Sequence, residues 1–235
     1  MNDFSGQQQK RVIVALDCQT QQQALTIAQK LDPQWCRVKV GKELFTAAGP
    51  AVIEALHQLG FEIFLDLKFH DIPNTVAKAC QVAAQLGVWM LTLHISGGRR
   101  MLEAARDAVM TASTPPLLVG VTVLTSFTQQ ELSEIGIVDT LSQQVMRLGQ
   151  LAKVTGLSGL VCSVEEVSVL RDALPTMLLV TPGIRLSGAQ LSGDDQRRIA
   201  TPETAIQRGA DYLVIGRPLT MAEDPLQLIK KMKLD

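Results

Sequence analysis

Eight short apolar, β-branched runs recur along the 235 residues, each followed by a longer amphipathic stretch. The runs are Arg11–Asp17, Cys36–Val40, Glu62–Lys68, Met90–Ser96, Leu117–Leu124, Gly159–Ser163, Met177–Thr181 and Tyr212–Gly216. Several are nearly continuous in apolar residues, as strands buried on both faces are. The stretches between them read as helices. Val52, Ile53, Leu56 and Leu59 form one apolar face that stops at Gly60. Val76, Cys80 and Ala83 form another that stops at Gly87. Ser163-x-x-Glu166 is a capping box ahead of Val167, Leu170 and Leu174, and Asp224-Pro225 opens a last helix over Leu226, Leu228, Ile229 and Met232.

Strands alternating with helices imply a parallel sheet, and eight units in this length imply closure into one (β/α)8 barrel, the TIM-barrel class of α/β fold. The alternative is an open doubly wound sheet. No G-x-G-x-x-G follows the first run, which disfavours it. No linker or low-complexity tract divides the chain, so residues 1–235 read as one domain with a short polar extension over residues 1–10.

Bulk numbers exclude several classes of function. The formal net charge is -1, so no basic excess points to nucleic acid. No apolar run approaches the roughly 18 residues that a membrane helix needs. The polar opening, with Asp3 and three glutamines, is not a signal peptide. Cys18, Cys36, Cys80 and Cys162 form no C-x-x-C pair and sit in or beside apolar segments. They read as buried free thiols in a reducing, cytoplasmic setting.

A barrel of this class carries its site at the C-terminal ends of its strands. Those ends carry Asp17, Lys39, Asp66 with Lys68, His94 with Ser96, Thr125 with Ser126, Ser163, Arg185 and Arg217. Charged groups thus end runs one, two, three, seven and eight, and five charges converging on one mouth define a site better than five solvated loop residues would. The densest string is Asp66-Leu67-Lys68-Phe69-His70-Asp71-Ile72-Pro73. Residues two apart on a strand share a face, so Asp66 and Lys68 are expected to point together. Lys39, one strand earlier, is expected beside Asp66 unless it is a surface lysine. Lys39, Asp66, Lys68 and Asp71 then make an alternating set of charges. A buried ion pair contributes little to stability, which favours a functional reading.

The second region is Pro182-Gly183-Ile184-Arg185 and Gly216-Arg217-Pro218, at the loops after strands seven and eight where barrels often bind phosphate. Glycine permits close backbone approach, and arginine offers a planar fork to phosphate oxygens. The connection Leu186–Ala200, with Gly188, Ser192 and Gly193, is long enough to be functional. His57 reads as a solvent-facing helix residue, His70 as a neighbour of the charged string, and His94 as a rim histidine. No metal site of recognisable spacing appears, and no cofactor motif.

Asp66-Leu-Lys-Phe-His-Asp-Ile-Pro-Asn-Thr75 closely resembles the signature of the orotidine 5'-phosphate decarboxylase family. So do Ala15-Leu16-Asp17, Val38-Lys39-Val40-Gly41, Val123-Leu124-Thr125-Ser126, Thr181-Pro182-Gly183-Ile184-Arg185 and Val214-Ile215-Gly216-Arg217-Pro218. The resemblance implies a cofactor-free lyase that turns orotidine monophosphate into uridine monophosphate, the last step of de novo pyrimidine synthesis. It implies that Lys68 gives a proton to C6 and that Asp66 faces the substrate carboxylate. Asp17 and Lys39 would bind ribose hydroxyls, and Thr125 or Ser126 the pyrimidine. Pro182, Arg185, Gln196, Gly216 and Arg217 would hold the phosphate end or close over it. Asp71, Ile72 and Thr75 would reach the neighbouring site of a homodimer. Two other readings stay open: a magnesium-dependent sugar-phosphate decarboxylase or aldolase of a related barrel, and a non-catalytic nucleotide-binding barrel.

Overall fold

The computed structural model describes residues 10–186, 200–232 and 234. Eight parallel strands close into a barrel in sequence order. They are β1 (Val12–Ala15), β2 (Cys36–Gly41), β3 (Ile63–Phe69), β4 (Met90–His94), β5 (Leu117–Val121), β6 (Gly159–Val161), β7 (Leu178–Thr181) and β8 (Tyr212–Ile215). The ring is completed by β1–β8 pairing, Val12 opposite Leu213 and Val14 opposite Ile215. Closure rules out the open sheet.

Around the barrel lie α1 (Gln21–Ala28), α2 (Lys42–Ala48), α3 (Ala51–Gln58), α4 (Pro73–Gln85), α5 (Arg99–Val109), α6 (Gln129–Glu134), α7 (Leu141–Val154), α8 (Val164–Ala173), α9 (Pro202–Gln207), α10 (Arg217–Thr220) and α11 (Pro225–Lys231). Their ends follow local chemistry. The Glu166 carboxylate accepts the Ser163 amide at 2.9 Å, the expected capping box of α8. Asp224 accepts the Gln227 amide at 2.9 Å ahead of Pro225 and so starts α11. Gly60 and Gly87 follow α3 and α4 at φ 85° and 74°, a conformation that favours glycine.

Two apolar layers result. Alternate strand residues face outward and pack under the helices: Val12, Val14, Val38, Val40, Ile63 and Leu65 belong to this larger layer. The other parity fills the barrel itself with Ile13, Ala15, Phe64, Met90, Val119, Val180 and Val214. At the N-terminal end this inner layer finishes in a polar-tipped plug. The Arg37 guanidinium lies 4.0 Å from the Trp89 ring centroid and 5.4 Å from that of Tyr212. The two rings meet edge to face with centroids 5.1 Å apart. Glu62 pairs with Arg37 at 3.1 Å.

The plug joins β2, the residue before β4 and β8, so it closes the end of the barrel remote from the strand C-termini. That end of such a barrel serves stability rather than chemistry. Arg37→Ala is expected to lower unfolding free energy by roughly 1–2 kcal/mol, as loss of a partly desolvated cation–π contact does. Denaturant titration checks this, and turnover per folded molecule should not change.

Candidate active site

The C-terminal mouth holds a cavity of about 540 Å³. It is lined by residues from β1, β2, β3, β5, β6 and the loops after β5, β7 and β8. Ten of the residues singled out from the sequence lie in its wall: Asp17, Lys39, Asp66, Lys68, Thr125, Ser126, Pro182, Arg185, Gly216 and Arg217. Gln196 lies outside the described residues.

One wall is a run of alternating charges. Lys39 Nζ lies 2.9 Å from Asp17 Oδ1 and 3.6 Å from Asp66 Oδ2. Lys68 Nζ donates to Asp66 Oδ1 at 2.8 Å. The register explains the first contacts: Ala15 pairs with Lys39, and Gly41 with Asp66. Gly41 is a built-in allowance, because a Cβ there would stand 3.1 Å from Lys39 Nζ and 3.2 Å from Asp17 Oδ1. Lys39 is buried, at 7% exposure, which rules out the surface-lysine alternative.

Burial by itself would lower the Lys39 pKa, but the carboxylates of Asp66 and Asp17 more than offset it and raise the ammonium above its ordinary value. Burial likewise pushes Asp66 up. The two lysines and hydrogen bonds from Lys68 and Thr92 outweigh it, so the carboxyl lies below its usual range. Both partners are therefore ionised at neutral pH.

The regular alternation expected for Asp66 and Lys68 does not account for their meeting. Lys68 has φ 51° and is the one non-glycine residue with positive φ among those described. The β3–β4 register slips between Leu65 and Phe69: Leu65 pairs with Leu91 and Phe69 with Leu93. Asp66, Leu67 and Lys68 thus all oppose Thr92. The two charges therefore meet on a bulge rather than on a regular strand. A left-handed lysine costs on the order of 1–2 kcal/mol, and such strain concentrates at functional sites. Thr92, unnoticed in the sequence, accepts the Lys68 amide at 2.8 Å and donates to Asp66 Oδ1 at 3.0 Å. A threonine inside the apolar run Met90–His94 carries no sequence signal of that role.

Asp71 does not extend the charge run in its own chain. It is exposed, makes no ion pair among the described residues, and its Oδ1 accepts the Ile72 amide at 2.6 Å. Ile72 is 67% exposed, and Thr75 is exposed on the first turn of α4. None of the three lines the cavity. The fourth charge of the run is instead Asp17, whose side chain is 61% exposed at the rim.

Arg185 and Arg217 stand away from Asp66 and Lys68, since β7 and β8 lie four and three strands from β3 in the ring. The Arg185 amide donates to the Ala200 carbonyl at 2.8 Å, and Ile184 bridges to Ala200. Ile184, Arg185 and Ala200 therefore lie side by side on this side of the cavity. Among the described lining residues, four cations (Lys39, Lys68, Arg185, Arg217) face two carboxylates (Asp17, Asp66). No group of three His, Cys, Asp or Glu side chains is placed to hold a metal among the described residues.

His57 is half-buried rather than solvent-facing, and burial lowers its pKa. His94 is half-buried behind the charged wall, its ring centroid 5.5 Å from that of His70. Burial first, then His70, Lys42 and Lys68, push it down to about 4, against a smaller opposing pull from Asp66.

A parallel barrel with a cation-rich mouth and a strained, paired lysine defines an enzyme class: a (β/α)8 lyase or transferase for a small anionic substrate. The comparisons narrow it. The model of the orotidine 5'-phosphate decarboxylase / HUMPS family matches residues 10–232. A protein of Laribacter hongkongensis named orotidine 5'-phosphate decarboxylase is 57% identical over 216 residues, covering 92% of this chain and 88% of that one. Its namesake in Chromobacterium violaceum is 52% identical over 240 residues, covering 100% and 96%. The crystal structure of orotidine 5'-phosphate decarboxylase from Lactobacillus acidophilus superposes with a TM-score of 0.84 at 40% identity, covering 94% and 98%. This chain belongs to the orotidine 5'-phosphate decarboxylase / HUMPS family.

The His94 shift has a measurable consequence. Its native pKa lies below that of the unfolded chain, near 6.5, so the neutral ring stabilises the fold fully above that pH. That contribution is lost as pH falls through 6.5 toward 4. His94→Asn, which does not titrate, is expected to gain melting temperature relative to the parent protein as pH drops from 7 to 4.5. Parallel melting curves for the two proteins across that range would contradict this.

Proposed function

We propose that this protein decarboxylates orotidine 5'-monophosphate to uridine 5'-monophosphate, using its own side chains and no cofactor. The observation that carries this reading is the ammonium–carboxylate pair of Lys68 and Asp66, 2.8 Å apart in a cavity wall. Its support is the surplus of cations at the mouth and the names of relatives at 52% and 57% identity.

The phosphate goes to Arg185 and Arg217 beside Gly216 and Pro182, where guanidinium forks meet its oxygens. The ribose hydroxyls lie against Asp17 and Lys39, and the pyrimidine against Thr125 and Ser126. That leaves C6 and its carboxylate at Lys68 and Asp66, across the cavity from the phosphate. When the C6–carboxylate bond breaks, carbon dioxide departs and the electron pair stays on C6. Lys68 stabilises that charge as it develops, then transfers a proton to C6 and later regains one from solvent. Asp66 repels the substrate carboxylate, and the repulsion vanishes with the departing gas. At about 4 Å and an effective dielectric near 20, it is worth on the order of 4 kcal/mol. That is a minor share of any large rate enhancement, so preorganised charge at Lys68 carries the rest.

A magnesium-dependent reading of the same carboxylates is disfavoured by one feature. Asp17 and Asp66 already share Lys39, and Asp66 also holds Lys68, so the carboxylates a hard cation needs are neutralised by ammonium groups.

The active unit is a homodimer in which Asp71, Ile72 and Thr75 enter the neighbouring cavity. Supporting this, Ile72 is a large apolar side chain left 67% exposed, next to an exposed carboxylate with no ion pair among the described residues. The setting is the cytoplasm, which the four free, buried cysteines favour.

Loss of orotidine absorbance, followed with and without chelator, tests the reaction. Lys68→Ala is expected to lower turnover by at least about a thousandfold while the protein stays folded. Ordinary turnover in that variant ends the assignment. The shared site is tested by mixing Lys68→Ala and Asp71→Ala chains under conditions of subunit exchange. A fraction of parental activity should return through hybrid dimers. No recovery after confirmed exchange places Asp71 in its own chain's chemistry.

A further inference from the structure

The β3 bulge presents a problem that one residue solves. Three residues, Asp66, Leu67 and Lys68, stand opposite the single residue Thr92 on β4. A bulge of that size removes ordinary ladder partners from the amides within it. The Lys68 amide sits inside the barrel wall, and its residue is held at φ 51°. An unpaired buried amide and an unsupported left-handed lysine would both relax by returning the chain to a regular strand. Such a strand would shift Lys68 away from its present place against Asp66.

Thr92 is fully buried, at 0% exposure, and does not line the cavity. Its hydroxyl oxygen accepts the Lys68 amide at 2.8 Å. Its proton goes to Asp66 Oδ1 at 3.0 Å, the oxygen that also accepts Lys68 Nζ at 2.8 Å. One hydroxyl therefore grips the backbone of one member of the pair and the side chain of the other. A buried threonine can satisfy its hydroxyl on nearby carbonyls alone, as Thr155 at the C-terminal end of α7 does on Leu151 and Ala152. Thr92 instead spends both of its hydrogen bonds on the bulge.

We propose that Thr92 is the positioning residue of the catalytic pair: its hydroxyl locks the left-handed conformation of Lys68 and sets the direction of Asp66. The inference rests on the decarboxylase reading for its kinetic part only. Lys39 still holds Asp66 and Asp17 when the hydroxyl is gone, so ligand binding is largely spared. The geometry of proton delivery is not, and displacement of a reacting group by about 1 Å lowers rate by roughly a hundredfold.

The test compares Thr92→Val, which keeps shape and removes the hydroxyl, with Thr92→Ser, which keeps the hydroxyl. Thr92→Ala replaces the valine variant if that one does not fold. With orotidine 5'-monophosphate, the hydroxyl-free variant is expected to lose roughly 10- to 100-fold in kcat with KM within about threefold. The serine variant should return to within about threefold of the parent. Parental kcat without the hydroxyl, or a serine variant as slow as the valine one, overturns the proposal. A crystal structure of the hydroxyl-free variant reads the same point without any activity. Lys68 should leave positive φ, or its Nζ should separate from Asp66 beyond hydrogen-bond distance. Unchanged geometry there overturns the proposal. An inactive parent protein would instead count against the decarboxylase reading and leave the crystallographic arm decisive.

Discussion

Everything at the mouth of this barrel is organised by one carboxylate. The Asp66 side chain is only 12% exposed, at the top of a barrel whose interior is filled by aliphatic and aromatic residues. Ionising a carboxyl there is unfavourable unless positive charge is already in place. Lys39 and Lys68 supply it from two sides, and Thr92 adds a neutral donor. The consequence is mutual: the carboxylate helps keep the buried Lys39 charged, and the lysines keep the carboxylate charged. In the proposed reaction, a lysine held in a fixed direction is what the carbanion at C6 needs. Water would have to reorganise to give the same stabilisation, whereas these groups are already oriented.

The barrel serves this arrangement by separating its ends. β2 alone points two cations inward, Arg37 at the N-terminal end and Lys39 two residues later at the mouth. Arg37 is absorbed by Trp89, Tyr212 and Glu62 and stops the barrel from below. Between the two cations lies a dry layer containing Ile13, Phe64, Met90 and Val119. That layer keeps solvent from reaching the charged wall from beneath and holds the strands in register. Across the mouth, the arginines stand on strands far from β3 in the ring. In the proposed reaction, a ligand that touches both walls is stretched between a phosphate end and a reacting end, and binding at the first can be used to fix geometry at the second.

Much of this was legible before any coordinates. Apolar periodicity is a property of neighbouring residues, so all eight strands, the cap at Ser163–Glu166 and the stops at Gly60 and Gly87 could be read from the chain. Once eight parallel units imply a closed barrel, geometry alone gathers strand-end residues, and Asp17, Lys39, Asp66, Lys68, Arg185 and Arg217 followed. Asp66 and Lys68 do meet, but not on a regular strand: the chain is bulged there with Lys68 at φ 51°. Asp71 is close to these charges in sequence, and in the folded chain it lies outside them.

By itself, then, the sequence determined the class of fold, the end of the barrel that carries the site, and which charged residues gather there. Each depends on hydrophobic pattern and on position along a strand, which are local. The tertiary structure alone decided that Thr92 opposes three residues of β3, that Lys39 bridges Asp17 and Asp66, and that Arg37 lies over two touching rings. Those outcomes depend on register between strands and on the balance of burial against charge pairing. Neither quantity exists until distant segments are packed together.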